Sequence, residues 1–397
     1  MKSVAELWET CLIEAGLQHH VRTHRDLAYA RSRIEQEGLS FLTIALPRYE
    51  SDALSAIASG RIGSNHFIGF RRRGGLPLFL GGFLSQLFDR KGVLRPDADP
   101  RVLRTLRQIL LLVKKVELPV SKKRLRKAVE QYVETDKMLP ELPTVRRLAF
   151  RSAARVLLSD YFNEVAACLR SADWRPRHSG GALATGESPN NRWASTTWTE
   201  RLQEHVPWWD DLTTFPSEIQ HSDVTVLARH QEPSAKMALV PKTMKGPRVI
   251  VEEPVHLQFV QQGILNVMVD LLSERRYQHL ADAFGWHSQQ PNRDLAKLGS
   301  QDGGFATIDL SEASDRVSLE LVEDLFSSVP YLRDIVMASR SESVLLPDGT
   351  IHFLNKFASM GSSLCFPIES MVFYVIASIS QSETFAIAPS MLRKTLK

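Results

Sequence analysis

Three short segments of this chain place carboxylates, basic residues and small residues in patterns suited to metal, phosphate or substrate contact. The first is FATIDLSEASDRVS, residues 305–318. Asp309 falls near the end of the apolar run Phe305–Leu310, which reads as a short strand. A strand end is a rigid place from which to aim a carboxylate at a metal. Ser311 is placed to cap the helix that follows, and Asp315 lies on its first turns. Capping is a common use of both residue types, so each also has a purely structural reading. The second segment is ALVPKTMKGPRVIVEEP, residues 238–254, in which Lys242, Lys245 and Arg248 recur every third residue. On a twisted hairpin they could converge on a triphosphate, the lysines as compact charges and the arginine as a planar bidentate donor. The plainer alternative is an exposed basic turn. The third is KFASMGSSLCFPIESMVFYVIA, residues 356–377. Its Ser359-Met360-Gly361-Ser362-Ser363 stretch reads as a small, flexible loop that opens an apolar helix. Such a loop lets a backbone approach a substrate closely. As an ordinary helix cap it would do nothing more.

The elements that must hold these segments are legible from periodicity. Leu103, Leu106, Ile109, Leu110 and Val113 recur at helical spacing and stop before Pro119. Val145–Leu169 continues as a second helix. Trp174–Thr197 is rich in Gly, Pro, Ser and Asn and reads as a long loop. Met237–Pro241 and Arg248–Val251 read as short strands, Val255–Ser273 and Val317–Phe326 as helices. Ser343–Leu354 is a hairpin turning at Pro347-Asp348-Gly349, and Pro367–Ser378 a final helix with proline in its first turn. The class is α+β. Three regions follow: a helical part over 1–236, a part with the basic segment over 237–300, and a part with the carboxylate and glycine segments over 301–397.

Composition excludes broad alternatives. With 397 residues, 43% hydrophobic and 24% charged, the chain is neither collagen-like nor wholesale disordered. Cys11, Cys168 and Cys365 lie far apart and make no disulfide framework, which fits a reducing compartment. Glu6, Glu9 and Glu14 stand where a signal peptide would be apolar, so secretion is not expected. The formal charge of +4 conceals an uneven distribution. Between Arg101 and Glu130, ten Lys and Arg face only Glu117 and Glu130. Arg71, Arg72 and Arg73 form a second cluster, and Arg146, Arg147, Arg151 and Arg155 a third. Each could be a solvated helix face. Together they suggest a phosphate-lined groove.

The order of the three segments is more specific than any one of them. VPKxxKxxRxIxxEP, then DLSxASD, then SMG before ESxxFYxIA, strongly resembles the RNA-directed RNA polymerase of the single-stranded RNA bacteriophages, the leviviral replicase catalytic subunit. The blocks correspond to polymerase motifs F, A and B. The loop RPRHSGG…RW, with His178, Gly180, Gly181 and Trp193, is similar to the fingers loop of that family. The resemblance covers the chain from about residue 145 to about residue 380.

The resemblance implies a right-hand polymerase fold with helical fingers and part of a palm. It implies template-directed nucleotidyl transfer from nucleoside triphosphates, with two Mg²⁺ ions clamping the reacting phosphate. Asp309 matches the first metal-binding aspartate. Lys242, Lys245 and Arg248 match the triphosphate contacts. Ser314 or Asp315 occupies the ribose-sensing position, and Ser359, Gly361 and Ser362 the loop that positions template and nucleotide. Arg71, Arg72, Arg73, Lys122, Lys123, Arg124 and His178 are the candidate RNA contacts. Implied partners are template and product RNA, nucleoside triphosphates, the host elongation factors Tu and Ts and a ribosomal protein, in the bacterial cytoplasm.

The chain departs from the family in three places. Ser362 stands where Asn is usual, and Pro367 where an acidic residue is usual. The family's Tyr-Gly-Asp-Asp turn is absent. Asp210-Asp211 precedes Asp309 and is no substitute, and Asp348 reads as a turn residue. The expectation is a chain that stops before the second carboxylate pair and the thumb, a replicase by descent but catalytically incomplete. The competing expectation is a non-catalytic RNA-binding fragment. A hydrolase using Asp309 and Asp315 has no further support, and a reverse transcriptase is disfavoured because no aromatic follows Asp309 to block a 2′-hydroxyl.

Overall fold

Aromatic side chains organise the N-terminal part of the protein. A computed structural model describes residues 2–171, 174–208 and 224–385, so Asp210 and Asp211 lie outside the described residues. The chain forms two compact units, Met1–Ala128 with Leu239–Arg248, and Val129–Ala238 with Val249–Lys397. These group the chain differently from the three sequence regions, because the tip of the basic hairpin belongs with the N-terminal helices.

In the first unit, helices α1 (Lys2–Gln18), α2 (His24–Glu37), α3 (Leu46–Ala58), α4 (Gly81–Leu87) and α5 (Pro100–Leu111) surround Trp8, Phe41, Tyr49, Phe67 and Phe83. Tyr49 shows why the core is ordered. Its ring meets Phe67 and Phe70 at 4.5 and 4.8 Å, and its hydroxyl donates to the Phe79 carbonyl at 2.6 Å. A buried phenol must find such an acceptor. The predicted helix over 103–113 is α5. Pro100 begins it and the Asp99 carboxylate caps it by accepting from Arg101 N at 2.8 Å. Its apolar face, Val102, Leu106, Ile109 and Leu110, is buried.

Helix α6 (Lys122–Lys137) runs from the first unit into the second. The second unit is built on α7 (Thr144–Arg170), whose Phe150, Leu157, Tyr161, Phe162 and Val165 are buried. The first unit holds the two-residue antiparallel strands β1 (Arg72–Arg73) and β2 (Leu76–Pro77), and in the second unit the short strands β3 (Thr197–Thr199) and β4 (Thr225–Leu227) pair in parallel. Later helices pack against α7: α9 (Val255–Leu272), α12 (Leu319–Leu325) and α14 (Cys365–Phe385), with α8 (Glu200–Gln203), α10 (Gln278–Phe284), α11 (Gln290–Asp302) and α13 (Pro330–Ala338) between or before them. Phe162 meets Phe326 at 4.7 Å, and the Tyr161 hydroxyl donates to the Met268 carbonyl at 2.7 Å.

A four-stranded sheet has the order β6 (Gly246–Glu252), β5 (Ala235–Thr243), β7 (Ser343–Leu345), β8 (Ile351–Phe353). Ala235 and Lys236 pair in parallel with Val344 and Leu345, and β7 turns back antiparallel into β8. The expected Pro-Asp-Gly turn joins them. Asp348 Oδ1 accepts from the amide and hydroxyl of Thr350 at 3.0 and 2.7 Å, and Gly349 has φ 86°. Asp348 is thus a turn residue.

Two sequence expectations fail in the second unit. Residues 305–310 are irregular rather than a strand, and Phe305, Ile308 and Leu310 are half to three-quarters exposed. Strand structure belongs to a ladder, and no described strand pairs with this run. Ser311 caps nothing. The helix begins later, and Ser318 caps it by accepting from Leu321 N at 3.2 Å.

Candidate functional site

The Ser-Met-Gly loop is fixed from four directions, contrary to the flexible loop expected. Asp136, fully buried near the end of α6, accepts from the amides of Lys356 and Asn355 at 2.9 and 3.1 Å and from His352 Nε2 at 2.8 Å. Arg340 Nε donates to the Phe357 carbonyl at 2.9 Å. Gln261 Oε1, on α9, accepts from Ser362 Oγ and the Ser363 amide, both at 3.1 Å. The Val251 amide of β6 donates to the Met360 carbonyl at 2.8 Å. A glutamine that accepts both bonds also gives Ser362 a defined role where the family's asparagine is missing.

The fixed loop is joined to the Asp315 turn by a buried cation. Lys356 has no exposed surface. Its Nζ lies 2.9 Å from Asp315 Oδ1 and 3.4 Å from the ring centroid of Tyr132. The Tyr132 hydroxyl bonds Ser359 Oγ at 2.6 Å. Burial pulls Lys356 below the usual lysine range, and the Asp315 carboxylate opposes that pull. Burial pushes the Tyr132 phenol upward, so it stays protonated. Glu312, at φ 56°, accepts from Thr135 Oγ1 at 3.0 Å and pins the turn to α6. Asp315 and Ser359, which the sequence marked separately, are therefore held by one Lys–Tyr pair. Sequence reading missed Lys356, Tyr132, Asp136 and Gln261. The one available signal was a lysine inside the apolar KFASMG run.

Other predicted residues are placed differently. Ser314 is half-buried on the same turn as Asp315. Asp309 is exposed on the irregular segment. Among the described residues no group of three or more His, Cys, Asp or Glu is placed to hold a metal ion. One carboxylate does not hold two divalent ions in register, so the described residues do not by themselves fit the two-ion site. Lys242, Lys245 and Arg248 are exposed at the tip of the hairpin, in the first unit. Arg124 Nη1 donates to the Met244 carbonyl at 2.8 Å, which ties the basic helix to the turn between Lys242 and Lys245. Lys122, Lys123, Arg71 and Arg73 are exposed. Arg72 serves the fold, donating to the Gly63 carbonyl at 3.0 Å and to that of His66. Arg147 and Arg151, expected in a phosphate groove, grip the buried Asp324 at 2.7 and 2.5 Å. Burial drives His178 down to about 4, so it is neutral at pH 7 and offers phosphate no charge.

Glu253 supplies a pH signature for this region. It is buried, accepts from Ser341 Oγ, and is pushed up to about 7 by desolvation, against the pull of Arg340. A folded-state acid that titrates above its unfolded value stabilises the fold fully at about pH 4. That contribution disappears as pH rises through 7. Wild-type stability is therefore expected to fall by about 3 kcal/mol across this window. Glu253→Gln is expected to flatten the dependence, measured as urea midpoint against pH. Equal slopes in both proteins would rule out Glu253 as the source.

A model of the family described as RNA replicase, beta-chain, matches residues 128–388. The chain belongs to this family. The replicase match takes in Tyr132, Asp136, Asp309, Asp315, Lys356 and the Ser-Met-Gly loop, and leaves Arg71–Arg73 and Lys122–Arg124 outside. Among curated relatives, it is 38% identical over 144 residues to the RNA-directed RNA polymerase subunit beta of Enterobacteria phage SP, covering 36% of this chain and 23% of the relative. It is 32% identical over 206 residues to the subunit beta of Escherichia virus Qbeta, covering 51% of this chain and 32% of the relative. The replicase chain of Escherichia phage MS2 is 34% identical over 142 residues, 36% of this chain and 24% of that one. The matched portion thus spans about a quarter to a third of the length of these relatives.

Proposed function

We propose that this chain carries the template- and nucleotide-handling part of a viral RNA-directed RNA polymerase, in the fingers and partial palm of a right-hand fold. One observation carries the reading: Lys356 and Tyr132 bring Asp315 and Ser359 together, inside the region matched by the replicase family. In this reading the exposed Lys242, Lys245 and Arg248 meet the triphosphate. Asp315, oriented by Lys356, faces the sugar, with Ser314 beside it, and a 2′-hydroxyl is what a fixed carboxylate there would read. Ser359, Gly361 and Ser362 align template and nucleotide. Asp309 faces the reacting phosphate. Mg²⁺ belongs to the reading as the cofactor of phosphoryl chemistry, which would need oxygen ligands beyond Asp309. The bacterial cytoplasm is the proposed compartment. Among the described residues no helix is long and apolar enough to cross a membrane. Elongation factors Tu and Ts and a ribosomal protein are proposed partners by resemblance, with no residue assigned to them.

The test combines nucleotide cross-linking with primer extension. A photoreactive nucleoside triphosphate is expected to label the purified chain, with yield falling about tenfold when Lys242, Lys245 and Arg248 are all alanine, since charge-assisted bonds to phosphate are the strong ones. Any incorporation on an RNA template with Mg²⁺ or Mn²⁺ is expected to vanish in Asp309→Asn. Incorporation that survives this change removes Asp309 from the chemistry. RNA binding without incorporation supports the second reading, a non-catalytic RNA-binding chain. Failure to bind either RNA or nucleotide overturns both.

A further inference from the structure

The loop that follows Trp174 presents one large aromatic side chain to solvent from a well-braced position. Trp193 is 61% exposed. It stands in a single 3-10 turn, Asn191–Ala194. The preceding Arg192 is buried, and its guanidinium donates to the carbonyls of Ser179 and, at 3.1 Å, Gly181. His178 meets the indole edge-on, with centroids 4.6 Å apart, and lies against Phe259 of α9 at 4.5 Å. Phe259 is part of the buried core. The indole is thus supported from the core outward while its own surface stays in water, an arrangement that apolar burial alone does not favour.

The surroundings point to an anionic, ring-bearing ligand. Within residues 174–193 the charged side chains are Arg175, Arg177, Arg192 and one acid, Glu187. Glu187 accepts from Thr185 Oγ1 and keeps its charge, so one acid stands against the arginines. Arg177 is exposed. Gly180, in the segment that Arg192 holds, has no positive φ, and a Cβ there would meet nothing within 4 Å. Neither backbone conformation nor space requires glycine at 180, so what the residue provides is bare main chain on the surface. A bare backbone, a rigid indole and a flanking guanidinium group are the parts of a single-strand nucleic-acid platform. Bases stack on the ring whatever their identity, and cations track the phosphates.

We propose that Trp193 is a stacking platform for a base of single-stranded RNA, with Arg177 meeting an adjoining phosphate. The choice of RNA as ligand rests on the polymerase reading above. Duplex RNA is not expected to use the platform, because its bases are already stacked.

The experiment is fluorescence anisotropy of a labelled, unstructured oligouridine titrated with the full chain at several salt concentrations. Trp193→Ala is expected to weaken binding about tenfold and to leave the slope of log affinity against log salt unchanged. Trp193→Phe is expected to bind within about twofold of wild type, since an aromatic face is retained. Replacing Arg177 by glutamine is expected to flatten the salt slope by about one, for the phosphate that no longer meets a cation. A labelled RNA duplex is expected to bind wild type and Trp193→Ala equally. The proposal is overturned if wild type binds oligouridine and Trp193→Ala binds it as tightly. It is also overturned if Trp193→Phe loses as much as alanine, or if duplex binding falls in step. Wild type that binds no RNA at all defeats the polymerase reading itself, a result distinct from an unaffected Trp193→Ala.

Discussion

Replacing Lys356 by methionine is expected to lower the unfolding free energy by about 3–5 kcal/mol, the cost of breaking a buried ion pair from one side. Lys356 is fully buried, whereas the Asp315 side chain is 23% exposed. That residual hydration of Asp315 places the expected loss toward the lower end of the range. Methionine fills the space of the lysine stem, so the loss is not a cavity effect. Two interactions disappear instead. The carboxylate loses its counter-ion at 2.9 Å, and the Tyr132 ring loses a cation 3.4 Å from its centroid. The second alone is worth up to about 2 kcal/mol when the pair is shielded from water. The measurement is a urea midpoint at unchanged m-value. The double variant Lys356→Met/Asp315→Asn is expected to recover a large part of the loss, because it no longer strands a charge. A single variant within about 1 kcal/mol of wild type would show that the pair is not holding the turn. In the polymerase reading the same change frees Asp315 and so relaxes discrimination between ribo- and deoxyribonucleotides.

Gly361→Ala is expected to cost about 4 kcal/mol, near the top of the range for single substitutions. Gly361 has φ 132°, where a side chain is strained, and a Cβ there would lie 2.0 Å from the Val251 carbonyl oxygen and 2.9 Å from its carbon. The obstacle is backbone. It cannot swing aside, because the same residue's amide donates to the Met360 carbonyl. Relief requires parting the loop from β6, which also disturbs Ser359 and Ser362. Gly180→Ala is the matched control, with open space and ordinary backbone geometry, and is expected to stay within about 0.5 kcal/mol of wild type. Comparable losses at both positions would place the effect in the unfolded chain rather than in the contact with Val251.

These two residues show what kind of information each level holds. The glycine in Ser-Met-Gly was legible as a place of close approach, but the sequence named the partner as a substrate. In the fold the partner at 2.0 Å is the protein's own β6 strand. The lysine four residues before Met360 has only its apolar neighbours as a signal, and in sequence a lone Lys next to Phe357 is hard to tell from a surface cation. Its importance follows from burial, and burial is a property of the assembled unit.

The places of α5, α7, the β5–β6 and β7–β8 hairpins and the last helix were legible from local pattern, along with the family. Those depend on periodicity, proline and turn residues, all of which act within a few positions of one another. Motif order identified the replicase family for a related reason: it is written along the chain. Which charged groups serve the fold and which face solvent emerges from the assembled units. The tertiary structure set Arg147 and Arg151 on Asp324, left Asp309 exposed, and moved the helix cap from Ser311 to Ser318. It also joined Tyr132 to Ser359 across 227 residues and Lys356 to Asp315 across 41. The physical reason is that a polar side chain's role is set by its solvation and its partner. Both are fixed by segments distant in sequence, which no local pattern encodes.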